Sequence, residues 1–100
     1  MKNFRTYQIA VEFYHLTQNL TLKRHLKDQL DRAASSIVLN LAEGRGKPTV
    51  KDQKRFFHIS MGSLRECQAI LALANMKQSK ESCVLDKLGA HLYLLIKCAR

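Results

Sequence analysis

Gly44-Arg45-Gly46-Lys47-Pro48-Thr49 is the stretch of this chain that comes nearest to a phosphate-binding loop. Such a loop needs a glycine five residues before Gly46, a Ser or Thr directly after the lysine, and a strand leading into it. Leu41 and Pro48 occupy those two positions, so the stretch reads as a helix stop carrying basic side chains. His15, His25, His58 and His91, with Cys67, Cys83 and Cys98, supply metal-ligand types, but no pair has zinc-finger spacing. Arg55 and His58 are three residues apart, closer than the Arg–His pairs of small helical nucleases. With no nucleophile and base pair, paired carboxylates or metal motif, the expectation is a protein that binds without catalysing and without a cofactor.

What the sequence holds in quantity is positive charge. Seventeen Lys and Arg against eight Asp and Glu leave +9 over 100 residues. Nine of the cations fall within residues 23–55: Lys23, Arg24, Lys27, Arg32, Arg45, Lys47, Lys51, Lys54 and Arg55. Asp28, Asp31, Glu43 and Asp52 oppose them, for a local excess of +5. Such an excess attracts polyanions and speeds encounter with them. The candidate phosphate contacts are Arg45, Lys47, Lys51, Lys54 and Arg55, with Lys23, Arg24 and Lys27 extending the surface. No aromatic residue is interleaved with the cluster before Phe56, so binding is expected to be electrostatic and tolerant of sequence.

The elements that must position these cations are helical. The chain is 46% apolar and 25% charged, with one proline and four glycines, and its length suits one domain. No apolar run reaches the roughly 18 residues of a membrane span, and Met1–Arg5 leads into mixed polar sequence without a signal-peptide core. Three cysteines, none in a C-x-x-C pair, fit buried thiols in a reducing cytoplasm.

Phe4, Tyr7, Val11, Tyr14 and Gln18, flanked by Ala10 and Phe13, predict a helix over about 4–19. Thr21 is the expected N-cap of a second, about 22–43, built on Leu22, Leu26, Leu30, Ala33, Ile37 and Leu41 and closed by Gly44. Thr49 with Asp52 predicts a capped third helix over about 50–76. Its inward residues are Phe57, Met61, Leu64, Gln68, Leu71 and Asn75, flanked by Ser60, Cys67 and Ala74. Ser79 or Ser82 caps a fourth, about 80–99, on Leu85, Leu88, Leu92, Leu95, Ile96 and Ala99. Short connections make neighbours antiparallel, so the expected fold is a single all-α domain over 1–100, an up-down-up-down four-helix bundle. Ile9, Phe13, Leu16, Val84, Tyr93 and Leu94 fall off the main stripes of the first and last helices and predict a subunit interface.

Ser36 and Asn40 on the second helix, with Glu43 beyond them, face Gly62, Ser63 and Glu66 on the third. Gly62 costs about 1 kcal/mol relative to alanine, which close approach of a neighbouring backbone would explain. Asn40 is then expected to bond across to Ser63 or Glu66, in a polar seam that sets helix register.

Gln29 to Gly44, containing Ser36-Ile37-x-x-Asn40-x-x-Glu43-Gly44, and Phe56 to Glu66, containing Gly62-Ser63-Leu64, together resemble a known family. It is the four-helix bundle proteins of the 23S rRNA intervening-sequence family, encoded within bacterial large-subunit ribosomal RNA genes. Phe4 to Thr17 suits the family's first helix, so the resemblance spans most of the chain. It implies a ring-like homopentamer with basic surfaces and no catalytic residues. It also implies kinship in fold to the accessory variability protein of diversity-generating retroelements, whose partners are nucleic acid and a reverse transcriptase. Two features depart from the family: Leu20-Thr21-Leu22 replaces a frequent aromatic-proline pair, and the last helix stops about a turn early. The expected function is therefore that of a non-catalytic, homo-oligomeric, cytoplasmic protein that binds nucleic acid. The alternatives are an adaptor docking an acidic partner such as a reverse transcriptase, and a small ribonuclease.

Overall fold

Four amphipathic stretches form α1 (Arg5–Gln18), α2 (Arg24–Arg45), α3 (Val50–Leu73) and α4 (Lys80–Cys98). The computed structural model describes residues 4–99; Met1, Lys2, Asn3 and Arg100 of the expected domain lie outside the described residues. Among the described residues there is no strand. Each helix packs on two others, in the cycle α1–α2–α3–α4–α1. Three sets of contacts give the directions. Arg45 at the end of α2 lies over Phe4 at the start of α1. Ser63 reaches Ser36, and Ser60 reaches Ile37, while Gly44 abuts Phe57. His58, Met61 and Arg65 of α3 lie beside Tyr93, Ile96 and Lys97 of α4, while Gln68 lies beside Ser82 and Leu85. All neighbours are thus antiparallel, the up-down-up-down order that connections of a few residues dictate.

Local chemistry explains the ends. Thr49 caps α3 by accepting from the Asp52 N–H at 3.1 Å, and Ser79, not Ser82, caps α4 by accepting from the Ser82 N–H at 3.1 Å. Thr21 caps nothing: α2 begins after Lys23, which makes no side-chain cap bond. Gly44 does not close α2 either. The helix runs on through Arg45, and its last turn tightens through Gly46 N–H to Glu43 O and Lys47 N–H to Gly44 O. The left-handed stop belongs to Asn75 (φ 60°), after α3. There Met76 N–H bonds Leu71 O at 2.8 Å and Asn75 N–H bonds Ala72 O at 3.1 Å, the paired bonds of a Schellman motif. Asn75 therefore ends the helix instead of packing inside it.

Leu26, Leu30, Ala33, Ile37 and Leu41 of α2 and Leu85, Leu88 and Leu92 of α4 fill the core as their spacing requires. The buried face of α1 is rotated from the expected one. It is Thr6, Ile9, Ala10, Phe13 and Thr17, while Tyr7, Val11 and Tyr14 are half-buried. Threonine is tolerated inside because its hydroxyl can bond a carbonyl of its own helix, and Thr17 does so, to Tyr14 O at 2.7 Å. In α3, Gln68 is half-buried, while the flanking Ser60 and Cys67 are buried together with Ile70. The interface expected from off-stripe residues is corrected accordingly. Ile9 and Phe13 belong to this chain's own core, Leu16 and Val84 are half-buried, and of the six only Tyr93 and Leu94 are exposed.

Candidate functional site

Antiparallel packing decides which cations meet. The starts of α1 and α3 and the ends of α2 and α4 share one end of the bundle. Among the described residues that end carries Arg5, Arg45, Lys47, Lys51, Lys54, Arg55 and Lys97 against Glu43 and Asp52, seven cations to two carboxylates. Lys23, Arg24 and Lys27 do not extend this surface. They stand at the opposite end of α2, about 32 Å away at the 1.5 Å rise of a helix. Their neighbours there include Asp28 and Asp31, and Lys27 is held by Asp31 at 2.8 Å.

At the basic end, aromatic rings seat the cations. The Arg45 guanidinium lies 4.8 Å from the centroid of Phe4, a buried ring that stacks near Tyr7 and tilts against Phe57. Phe56 is flanked by two cations, Lys47 Nζ at 5.1 Å and Arg55 Cζ at 5.3 Å from its centroid. Lys47 also pairs with Glu43 at 2.9 Å, and its carbonyl accepts from Gln53 Nε2 at 2.8 Å, which ties the α2–α3 turn to α3. Cation–π contacts on an exposed surface contribute about 0.5–1 kcal/mol each. Here they restrict long side chains before any ligand arrives, so less rotamer freedom remains to be lost on binding. Among the described residues only two ion pairs form, Lys27–Asp31 and Lys47–Glu43. Arg45, Lys51, Lys54 and Arg55 remain available to outside anions.

The polar seam is present with different partners from those expected. Ser63 Oγ donates to Ser36 Oγ at 2.8 Å, and Ser60 Oγ, fully buried, donates to Ile37 O at 3.0 Å. Asn40 turns back along α2, donating to Ser36 O at 2.9 Å and Ser36 Oγ at 3.1 Å, and does not cross to Ser63 or Glu66. Glu43 and Glu66 are exposed. Gly62 is exposed too, with nothing within 4 Å of where a Cβ would stand, so no neighbouring backbone explains it. The glycine that close packing requires is Gly44, where a Cβ would stand 2.8 Å from Phe57 Cε1 and 3.0 Å from Phe56 Cβ.

Sequence reasoning missed Arg5 and Lys97, which join the site only through the antiparallel return of the first and last helices. It passed over Phe56, although a ring one residue after Arg55 was a usable signal. The other candidate chemistry disperses. Cys67 is buried, and its thiol is pushed up from the ordinary 9.0 to about 12 by loss of solvation and then by the Glu66 carboxylate, which makes it a poor nucleophile or ligand. Cys83 and Cys98 are exposed, contrary to the expectation of buried thiols. His91 is hydrogen-bonded to Lys87 O at 3.0 Å within its own helix, and His15 sets its ring edge against Tyr14. Among the described residues no three of His, Cys, Asp and Glu form a group able to hold a metal ion, and no helix is long and apolar enough to cross a membrane.

The sequence model of the 23S rRNA-intervening sequence protein family matches residues 4–98. The chain belongs to this family. No curated protein and no solved structure matches it. For this intervening-sequence protein the match runs from Phe4, under the Arg45 guanidinium, to Cys98, the last residue of α4. It therefore takes in all four helices and the whole of the basic end.

Proposed function

We propose that this intervening-sequence protein is a non-catalytic, oligomeric, nucleic-acid-binding protein of the cytoplasm. The observation that carries the reading is the end of the bundle where Arg45, Lys51, Lys54 and Arg55 converge beside Arg5 and Lys97 with few opposing carboxylates. Phosphate oxygens are the ligand this surface suits. Arg45, Arg55 and Lys97 are held on aromatic rings, and little hydrogen-bonding equipment for base edges accompanies them.

About five phosphate contacts on a single strand imply a salt slope near −3.5, so a roughly fourfold rise in salt should lower affinity about 100-fold. Lys51→Gln with Arg55→Gln should flatten that slope by about 1.4. Fluorescence anisotropy of labelled RNA across a salt series measures both. An affinity indifferent to salt would refute the electrostatic mechanism. Degradation of the RNA during the titration would favour the ribonuclease reading instead. Capture of an acidic protein from nuclease-treated lysate would favour the adaptor.

Oligomerisation has its own support. Val11, Tyr14, Val38 and Leu39 line an apolar groove of about 260 Å³ between α1 and α2, and Leu39 is 66% exposed. A second copy seated there would remove that surface from water. The family resemblance implies five copies in a ring. Light scattering of wild type and Leu39→Lys tests this, with a shift towards monomer in the variant as the expected result.

A further inference from the structure

We propose that the groove between α3 and α4, reached from the basic end along α3, seats a nucleotide of a single strand, its base on the Tyr93 ring and its phosphates on Arg65 and Lys97. The inference rests on the nucleic-acid reading above and assigns it a second contact surface.

The groove has a volume of about 510 Å³ and is lined by His58, Met61 and Arg65 from α3 and Tyr93, Ile96 and Lys97 from α4. That volume is within the roughly 300–1,000 Å³ of small-ligand sites. Among the described residues no carboxylate lines it. Glu66 follows Arg65 in sequence but projects to another side of the helix, since adjacent helical residues do not face each other. Tyr93 is 57% exposed, so its ring is accessible to a ligand. Lys97 Nζ lies 5.9 Å from the ring centroid, one turn further along α4, and so offers a cation beside any base stacked there. Half-buried Met61 and Ile96 provide the apolar floor.

The surroundings favour an extended strand. Lys51, Arg55, His58, Gly62 and Arg65 recur at helical spacing along the outer ridge of α3, over about 21 Å. The ridge dips at Gly62, where no atom stands within 4 Å of a missing side chain. A strand can thus pass from the basic end to the groove without crossing a bulky residue. A duplex cannot use the ring, because its bases are already stacked within the helix. A second copy of this chain is a poorer occupant, since it brings a like net charge of +9 to a basic cleft.

The test compares a short fluorescent oligoadenylate with a blunt RNA duplex of the same length, by anisotropy on the full chain. Tyr93→Ala should weaken oligoadenylate binding about tenfold, Tyr93→Phe should retain it, and neither should change duplex affinity. Tyr93 is exposed, so the variants should keep the wild-type melting curve, which is measured alongside. Arg65→Gln with Lys97→Gln should weaken the oligoadenylate more than the duplex. The proposal is overturned if Tyr93→Ala leaves oligoadenylate affinity unchanged or weakens both ligands equally. Loss of binding only through dissociation of an oligomer, seen by light scattering, overturns it as well. Failure of wild type to bind either nucleic acid removes the parent reading and the groove together. Binding of both with Tyr93 silent removes the groove alone.

Discussion

Alanine substituted at Gly44 and at Gly62 should move stability in opposite directions, although both glycines are helical and residue type alone treats them alike. At Gly44 the new Cβ would stand 2.8 Å from Phe57 Cε1, 3.0 Å from Phe57 Cδ1 and 3.0 Å from Phe56 Cβ. Phe57 is only 2% exposed and its ring packs against Phe4, so it cannot swing clear without displacing a second core ring. Overpacking of this kind costs about 1–3 kcal/mol. The gain from replacing glycine in a helix is at most about 1 kcal/mol, and less in the last turn, where Gly44 lies. The net result should be a loss of about 1–2 kcal/mol, and a melting temperature lower by roughly 5–15 °C for a domain of this size. At Gly62 nothing stands within 4 Å, so only the propensity gain operates. Gly62→Ala should add about 0.5–1 kcal/mol and raise the melting temperature by roughly 3–6 °C. Thermal and urea unfolding followed by circular dichroism measure both variants. A neutral or stabilising Gly44→Ala, or a destabilising Gly62→Ala, would refute the assignment of the packing role to Gly44.

Three further expectations concern buried groups. In native protein a thiol reagent should modify Cys83 and Cys98 rapidly and Cys67 only on unfolding, since Cys67 is buried. Above pH 9.0 the unfolded Cys67 thiol ionises while the folded one stays protonated up to about 12. Its effect is nil below pH 9.0 and destabilising as pH rises from there towards 12. Cys67→Ala should fall less steeply across that window in urea titrations, and parallel curves would contradict the assignment. Ser60→Ala, which removes the buried bond to Ile37 O, should cost about 1 kcal/mol. Ser63→Ala should cost less, because the Ser63–Ser36 bond is only partly buried. The reverse order would mean that the outer pair, and not Ser60, joins α2 to α3.

Much of the fold could be read before the structure was known. Leucines at three-four spacing, Thr49 and Ser79 before helical runs, and short polar connections are short-range signals, and they lead to four helices with antiparallel neighbours. The basic turn from Gly44 to Arg55 was equally legible as composition. Boundaries were less so. Thr21 looked like a cap, but a cap forms only where the backbone turns into the helix, and α2 starts at Arg24.

What only the tertiary structure decided depends on residues far apart in sequence. α1 buries Thr6 and Thr17 and leaves Tyr7 and Tyr14 half-exposed, because its orientation is set by the whole core and not by the hydropathy of its own residues. The cations of residues 23–55, one cluster in sequence, divide between two ends because α2 separates them by the length of a long helix. Arg5 and Lys97, remote in sequence, join the basic end for the complementary reason. The packing role that sequence context suggested for Gly62 belongs to Gly44, since a glycine's necessity depends on what packs against it. Sequence determined the elements and the charge; antiparallel packing decided which charges, rings and grooves became neighbours.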